Sequence, residues 1–278
     1  MGANINDWVP MMDNGIRFNN HPNIPNELAG IIVGKRKSGK TCLLAKMLLD
    51  DDILDYNHLE IFTKTKNQPI YQMIYHGFKN KFSKKTIKAL IISHQKFKNL
   101  SAGKQVSIND KATPKQICEF YLSDNPDENA GITCTLSDKI SEIKTPEELG
   151  KNGKLNLVIF DDCINENQEI MNMYFTRGRH SNANVIYIAQ NLIKLDRQDI
   201  RTNANLFILF KQLYGDLSRF FRDVITTDKT EHTKFLQKAK VCLKKPYGYI
   251  AINTDTAKIK LIDNIFEDYD TSDSDVSE

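Results

Sequence analysis

Apolar residues along the chain fall into two rhythms that alternate. Short apolar runs of strand length cover residues 28–33, 58–62, 155–160, 184–189 and 205–210. Between several of them, apolar positions recur three and four apart, as in Ile70, Met73, Ile74 and Phe78, which predict a helix over 68–78. An amphipathic helix is likewise predicted directly after the first run, and others over about 165–176, 214–225 and 232–241. Residues 247–252 and 258–262 read as a C-terminal hairpin turning at 253–256. Strand and helix by turns predict an α/β fold with a mostly parallel central sheet flanked by helices on both faces. No internal repeat interrupts the pattern.

Two regions depart from it. Residues 1–27 are rich in Asn and Pro (Pro10, Pro22, Pro25) and read as an irregular segment with one anchoring aromatic, Trp8. Residues 79–153 read as an inserted basic region. It opens with Lys79, Lys81, Lys84, Lys85, Lys88, Lys96, Lys98 and Lys104, with no acidic residue before Asp110. An apolar run at 89–93 predicts a further strand, and 109–153, with Pro114, Pro126 and Pro146, reads as loop-rich. The expected organisation is an N-terminal segment 1–27, a nucleotide-binding domain 28–266 carrying that insertion, and an acidic disordered tail 267–278.

Charge sharpens this division. The 278 residues carry 38 basic and 35 acidic side chains, a net charge of +3. Glu267, Asp268, Asp270, Asp273, Asp275 and Glu278 lie in a tail without Lys or Arg, which leaves residues 1–266 at 38 basic against 29 acidic. A basic body is compatible with a nucleic-acid partner and equally with a lysine-rich solvated surface. A hydrophobic content of 40% suffices for a buried core. No run of 18 apolar residues occurs, and residues 1–20 lack the basic-then-apolar pattern of a signal peptide, so neither a membrane span nor secretion is expected. Cys42, Cys118, Cys134, Cys163 and Cys242 form no C-x-x-C and predict free thiols in a reducing compartment.

The chemistry begins where the first strand runs into Gly34-Lys35-Arg36-Lys37-Ser38-Gly39-Lys40-Thr41-Cys42. This G-x-x-x-x-G-K-T spacing, between a strand and a helix, predicts a phosphate-binding loop. Its glycines allow backbone N–H groups to converge on a triphosphate at the positive end of the following helix. Lys40 would reach the β- and γ-phosphates of ATP, and Thr41 would hold Mg²⁺. The apolar run at 155–160 ends in Asp161-Asp162. Asp161 is placed beside the Mg²⁺ and Asp162 where a general base would polarise the attacking water, though either carboxylate also suits a helix N-cap. Gln190 ends the next strand, one crossover later, and is expected at the γ-phosphate as a sensor. Arg177, Arg179 and His180 lie at the other end of that strand, about 15 to 20 Å away. They cannot easily serve their own site. Arg179 therefore reads as a finger presented to a neighbouring subunit, with Arg201 as the second choice, or the arginines neutralise a helix C-terminus.

The loop 34–41, the Asp161-Asp162 strand, the run from Phe175 through Arg177, Arg179 and His180 to Gln190, and the stretch 200–210 around Arg201 together resemble the genome-packaging ATPases of poxviruses and other large DNA viruses, in the HerA/FtsK group of ring-shaped motors. The resemblance covers roughly residues 28–66 and 154–225. It implies Mg-dependent ATP hydrolysis in a homo-oligomeric ring, a pentamer or hexamer, that translocates double-stranded DNA into a preformed capsid at its portal vertex. It also implies action in the host cytoplasm at virus assembly sites, or in the virion. Other readings of the same motifs are a P-loop phosphotransferase such as a nucleotide kinase, with the lysine-rich region as a lid, and a nucleotide-binding structural subunit without turnover.

Overall fold

The computed structural model describes residues 18–101, 112–124, 129–224, 228–255 and 260–262. The first half of the chain runs β1 (Ala29–Val33), α1 (Lys40–Leu49), β2 (His58–Thr63), α2 (Pro69–Lys79), α3 (Lys84–Ser101), α4 (Pro114–Asp124), β3 (Thr133–Ser137) and α5 (Pro146–Gly150). The second half runs β4 (Asn156–Asp161), α6 (Glu169–Arg177), β5 (Ala183–Ala189), β6 (Leu206–Phe210), α7 (Tyr214–Val224), α8 (Lys229–Cys242), β7 (Tyr249–Asn253) and β8 (Lys260–Ile262).

Strands β4, β5 and β6 are buried along their whole length. Near-continuous apolar side chains with both faces covered are what a central parallel strand requires. The sheet has eight strands in the order β3-β2-β4-β5-β1-β6-β7-β8. All neighbours from β3 to β6 pair in parallel, and β7 and β8 continue antiparallel. One face packs under α1, α2 and α3 through Leu44, Met47, Leu48, Ile74 and Phe78. The other packs under α6, α7 and α8 through Met171, Tyr174, Phe220 and Phe235. The architecture is the α/β fold of a P-loop NTPase, with the loop between β1 and α1 at the carboxyl edge of the sheet. Among the described residues no helix is long and apolar enough to cross a membrane. All five cysteines are free thiols.

The basic region 79–153 differs from its sequence reading in two places. The apolar run at 89–93 is not a strand but lies within α3. Ile87 is fully buried, and Leu90 and Ile91 pack with it on the α1–α2 side, a helical spacing interleaved with lysines. The 109–153 stretch, read as loop-rich, supplies α4 against α2 and a complete edge strand, β3, in register with β2 from His58↔Thr133 to Phe62↔Ser137. β3 was hidden because an edge strand half open to water lacks a continuous apolar run. The lysines are not one solvated face either. Lys84 is buried, donates from Nζ to Leu54 O at 2.8 Å and lies over the Tyr56 ring, while Lys88 is ion-paired with Asp50. Lys79, Lys81 and Lys85 stay exposed. Trp8, Lys104, residues 256–259, which include the end of the turn expected at 253–256, and the acidic tail 267–278 lie outside the described residues.

Candidate active site

The loop after β1 is shaped by what its glycines leave out. A Cβ on Gly34 would stand 2.4 Å from Ser38 Oγ and 2.7 Å from Phe210 Cβ, so any side chain there would drive the loop off the sheet. Gly39 has φ +103° and caps α1 without a side-chain hydrogen bond. Only glycine adopts that backbone without strain. With no capping side chain, the first N–H groups of α1 are open to an anion, and the helix dipole favours one there. Ser38 Oγ is buried without a hydrogen-bond partner among the described residues, a donor held inside the cradle. Lys40 Nζ donates to Gly34 O at 2.6 Å and Lys35 O at 2.9 Å. Burial pushes the Lys40 ammonium below its usual range, opposed by the charges of Asp161 and Asp162.

The carboxylates arrive on β4, and β5 intervenes between β4 and β1. Its register puts Ile188 beside Asp161 and Ala189 beside Val33, so Gln190 emerges between the loop and the acids. Gln190 Nε2 donates to Asp162 Oδ1 at 2.9 Å. Asp162 adopts φ +54°, a left-handed conformation that Asp tolerates better than most residues, and the chain turns there. Asp161 is buried, and the Tyr71 hydroxyl donates to its Oδ2 at 2.5 Å. Burial raises the Asp161 carboxyl above its ordinary range, while the Tyr71 bond and the Lys40 charge hold it down. Tyr71 itself is pushed far above the usual phenol range by burial and by Asp161, with the nearby Thr41 hydroxyl opposing the shift.

Lys40, Thr41, Asp161, Asp162 and Gln190 line one cavity of about 330 Å³ together with Arg36 and Lys37. Thr65 and Gln68 close its far side, linked by Gln68 Nε2 donating to Thr65 Oγ1 at 2.7 Å. The cavity thus brings together Lys40, Thr41, both aspartates and Gln190. Lys35 and Arg36 are exposed on the loop, and Cys42 is exposed in the first turn of α1. The donor set fits Mg²⁺ with a nucleotide: one hydroxyl and two carboxylates, the remaining oxygens left to phosphates and water. Uncapped amides and an orphaned hydroxyl meet the phosphates.

Three features of this site escape the sequence. Tyr71 sits in the apolar stripe of α2 and reads there as core. Thr65 and Gln68 follow the carboxyl end of β2, where the rule that ligands lie at carboxyl ends of parallel strands does point to them. Tyr247, 73% exposed and at φ +57°, approaches Gly39 from the turn before β7: a Cβ at Gly39 would lie 3.3 Å from its Cδ1. No motif marks it.

Arg177, Arg179 and Arg201 are not among the residues that line the cavity. Arg177 ends α6 and Arg179 lies in the short 3₁₀ helix Gly178–Ser181, at the amino end of β5. The 7 residues of β5, at about 3.3 Å each, separate Arg179 from Gln190 by on the order of 20 Å. Arg179 is exposed, and Arg177 forms a 3.6 Å ion pair with Glu147. Arg201 lies at the same amino edge of the sheet but is only 5% exposed.

No protein-family model matches the chain, and no curated protein matches it. Among solved structures it is similar to the genome packaging NTPase B204 from Sulfolobus turreted icosahedral virus 2 in complex with ATP-gammaS, at 14% identity and TM-score 0.46 over 84% of this chain and 96% of that one. It is also similar to VirB4 of Thermoanaerobacter pseudethanolicus, at 11% identity and TM-score 0.39 over 86% and 91% of the two chains. The cytoplasmic domain of the Thermomonospora curvata type VII secretion ATPase EccC matches at 10% identity and TM-score 0.35, over 84% of this chain and 25% of that one.

Proposed function

We propose that the chain is a Mg-dependent ATP hydrolase that assembles as a homo-oligomeric ring and drives double-stranded DNA into a preformed viral capsid. The hydrolase part rests above all on Gln190, held against Asp162 between the phosphate-binding loop and the carboxylates. A phosphotransferase needs an acceptor pocket at that point, whereas an amide bonded to an exposed carboxylate is suited to align a water. The packaging part rests on the sequence resemblance carried by the Arg177-to-Gln190 element.

In this reading the backbone of 34–42 and the Lys40 ammonium grip the β- and γ-phosphates, and Thr41 and Asp161 hold Mg²⁺. The metal, when bound, neutralises charge that develops on the phosphates. Asp162 accepts the proton of the attacking water, and Gln190 orients that water. Arg179 completes the site of a second copy, because its own site is out of reach. The ring would act at a portal vertex, at assembly sites in the host cytoplasm or in the virion.

The test is ATP turnover measured against protein concentration, with and without double-stranded DNA. Specific activity is expected to rise with both. Turnover that requires a small phosphate acceptor and ignores DNA would replace this reading with a kinase, and absence of turnover under all conditions with a structural subunit.

A further inference from the structure

The connection from β5 to β6 contains one π-helical turn, Arg197–Arg201. It is closed by Arg201 N donating to Asp196 O at 3.0 Å and Thr202 N to Arg197 O at 3.2 Å, and Asp196 Oδ1 caps it by accepting from Asp199 N at 2.7 Å. Wide i→i+5 turns are rare and concentrate at functional sites. Here the turn places Arg197 and Arg201 on the wall of one cavity of about 280 Å³. Thr202, Ala204, Asp223 and Val224 at the end of α7, and Thr254 after β7 line the rest of it. The cavity opens at the amino edge of β6, away from the phosphate-binding loop.

Arg201 is the anomaly in that wall. Its side chain is buried, yet Nε and Nη1 have no hydrogen-bond partner among the described residues. Buried guanidinium donors without acceptors are costly, so an arrangement of this kind calls for an acceptor that the described residues do not supply. Asp223 exerts the strongest internal attraction on the guanidinium, but no hydrogen bond or ion pair joins the two among the described residues, and Asp223 Oδ2 lies 3.7 Å from Arg219 Nε. Arg197 and Arg219 add positive charge around the guanidinium, set against Asp223 and Asp196, and burial holds the Arg201 pKa below its ordinary value. At 5% exposure Arg201 is less open to a neighbouring site than the exposed Arg179.

We infer that the cavity under the π turn is a phosphate-binding site, separate from the ATP cradle, in which Arg201 and Arg197 hold a phosphate group. Two guanidinium forks offer more donors than the two oxygens of a carboxylate can use, whereas a phosphate presents acceptors to both. The phosphate is either free inorganic phosphate or a phosphodiester of a DNA backbone, which share this chemistry.

The full-length chain carrying Lys40→Ala, in which the cradle's grip on phosphate is weakened, is heated with increasing inorganic phosphate. Its Tm is expected to rise, because a ligand of the folded state stabilises it. Adding Arg201→Met should flatten that rise while increasing the Tm without phosphate, since the orphaned charge is gone. Comparing the two chains at equal phosphate cancels the general salting effect of phosphate. Arg197→Gln, an exposed position that leaves the core intact, should weaken phosphate affinity about tenfold, and it decides the matter should the Arg201 variant not fold. A phosphate-dependent rise unchanged by either substitution overturns the site. A DNA duplex that cancels the Arg201-dependent rise identifies the backbone as the source, and an additive response identifies free phosphate.

Discussion

The two edges of the sheet are built on opposite principles. At the carboxyl edge the charged groups of the candidate site face one another: Lys40 is within electrostatic reach of Asp161 and Asp162, Tyr71 bonds Asp161, and Gln190 bonds Asp162. At the amino edge, among the described residues, Arg179 is exposed and hydrogen-bonds His180, and Arg201 is buried with two donor atoms that lack an acceptor. One edge is preorganised, its polar groups held by one another before any ligand arrives, as the proposed reaction site requires. The other holds an exposed arginine and, in Arg201, buried donors without an acceptor among the described residues. The same seven-residue strand, β5, ties the two together.

The contrast is most easily broken at Lys40. Lys40→Ala should reduce ATP turnover to background while leaving β1 and α1 intact, as phosphate release and circular dichroism would show. Turnover near that of the wild type would mean that the preorganised edge is not the reaction site. Arg179→Ala tests the other edge. It should bind ATP normally and lose about 10³-fold or more in hydrolysis, the scale of arginine fingers in well-studied cases. Mixing it with Asp162→Asn should recover part of the activity, because some interfaces would then join an intact site to an intact arginine. No recovery in mixtures that co-assemble, with turnover independent of concentration, would confine catalysis to one edge of one chain.

Tyr71→Phe sharpens the account of the carboxyl edge. A folded pKa above the ordinary carboxylate value means that ionised Asp161 is less favoured in the fold than in the unfolded chain. Its contribution to stability is therefore full below the ordinary range and is lost as pH rises through the folded pKa. Removing the Tyr71 hydroxyl takes away a bond that favours the ionised form, so the folded pKa moves further up and the loss grows. Denaturant titrations should show the variant less stable by about 1.5 to 3 kcal/mol at neutral pH, with a smaller deficit in acid. The acid limb of turnover against pH should shift upward. Identical profiles would show that Tyr71 is core alone.

What the sequence revealed divides along the same lines as the physics. The loop 34–41, the strand ending in Asp161 and the strand ending in Gln190 are legible because each joins a backbone requirement to a continuous apolar run. Tyr71 is not, because the bond that matters is made by one atom of an otherwise ordinary core side chain. Periodicity also fails at 89–93, where four apolar residues in a row suit strand and helix equally and only the contacts of Ile87, Leu90 and Ile91 with α1 and α2 decide. β3 is invisible for the opposite reason: its partner β2 lies some seventy residues earlier, and its exposed edge needs no apolar signature. The partnerless donors of Arg201 are a property of three-dimensional surroundings, and no spacing encodes them.

The smallest expected effect concerns the lysines of the basic region, which the structure sorts into two kinds. Lys84, buried on Leu54 O and the Tyr56 ring, belongs to the core, so Lys84→Gln should lower stability without altering any response to DNA. Lys81 and Lys85 are exposed and carry charge into solvent. If they meet DNA phosphates, replacing both by Gln should weaken affinity similarly on every sequence. It should also flatten the log–log salt dependence by about two units, since roughly one counterion fewer is released per lost contact. Fluorescence anisotropy with a short duplex at several salt concentrations measures that slope. An unchanged slope would return these lysines to plain solvated surface and leave the amino-edge arginines as the cations that await a partner.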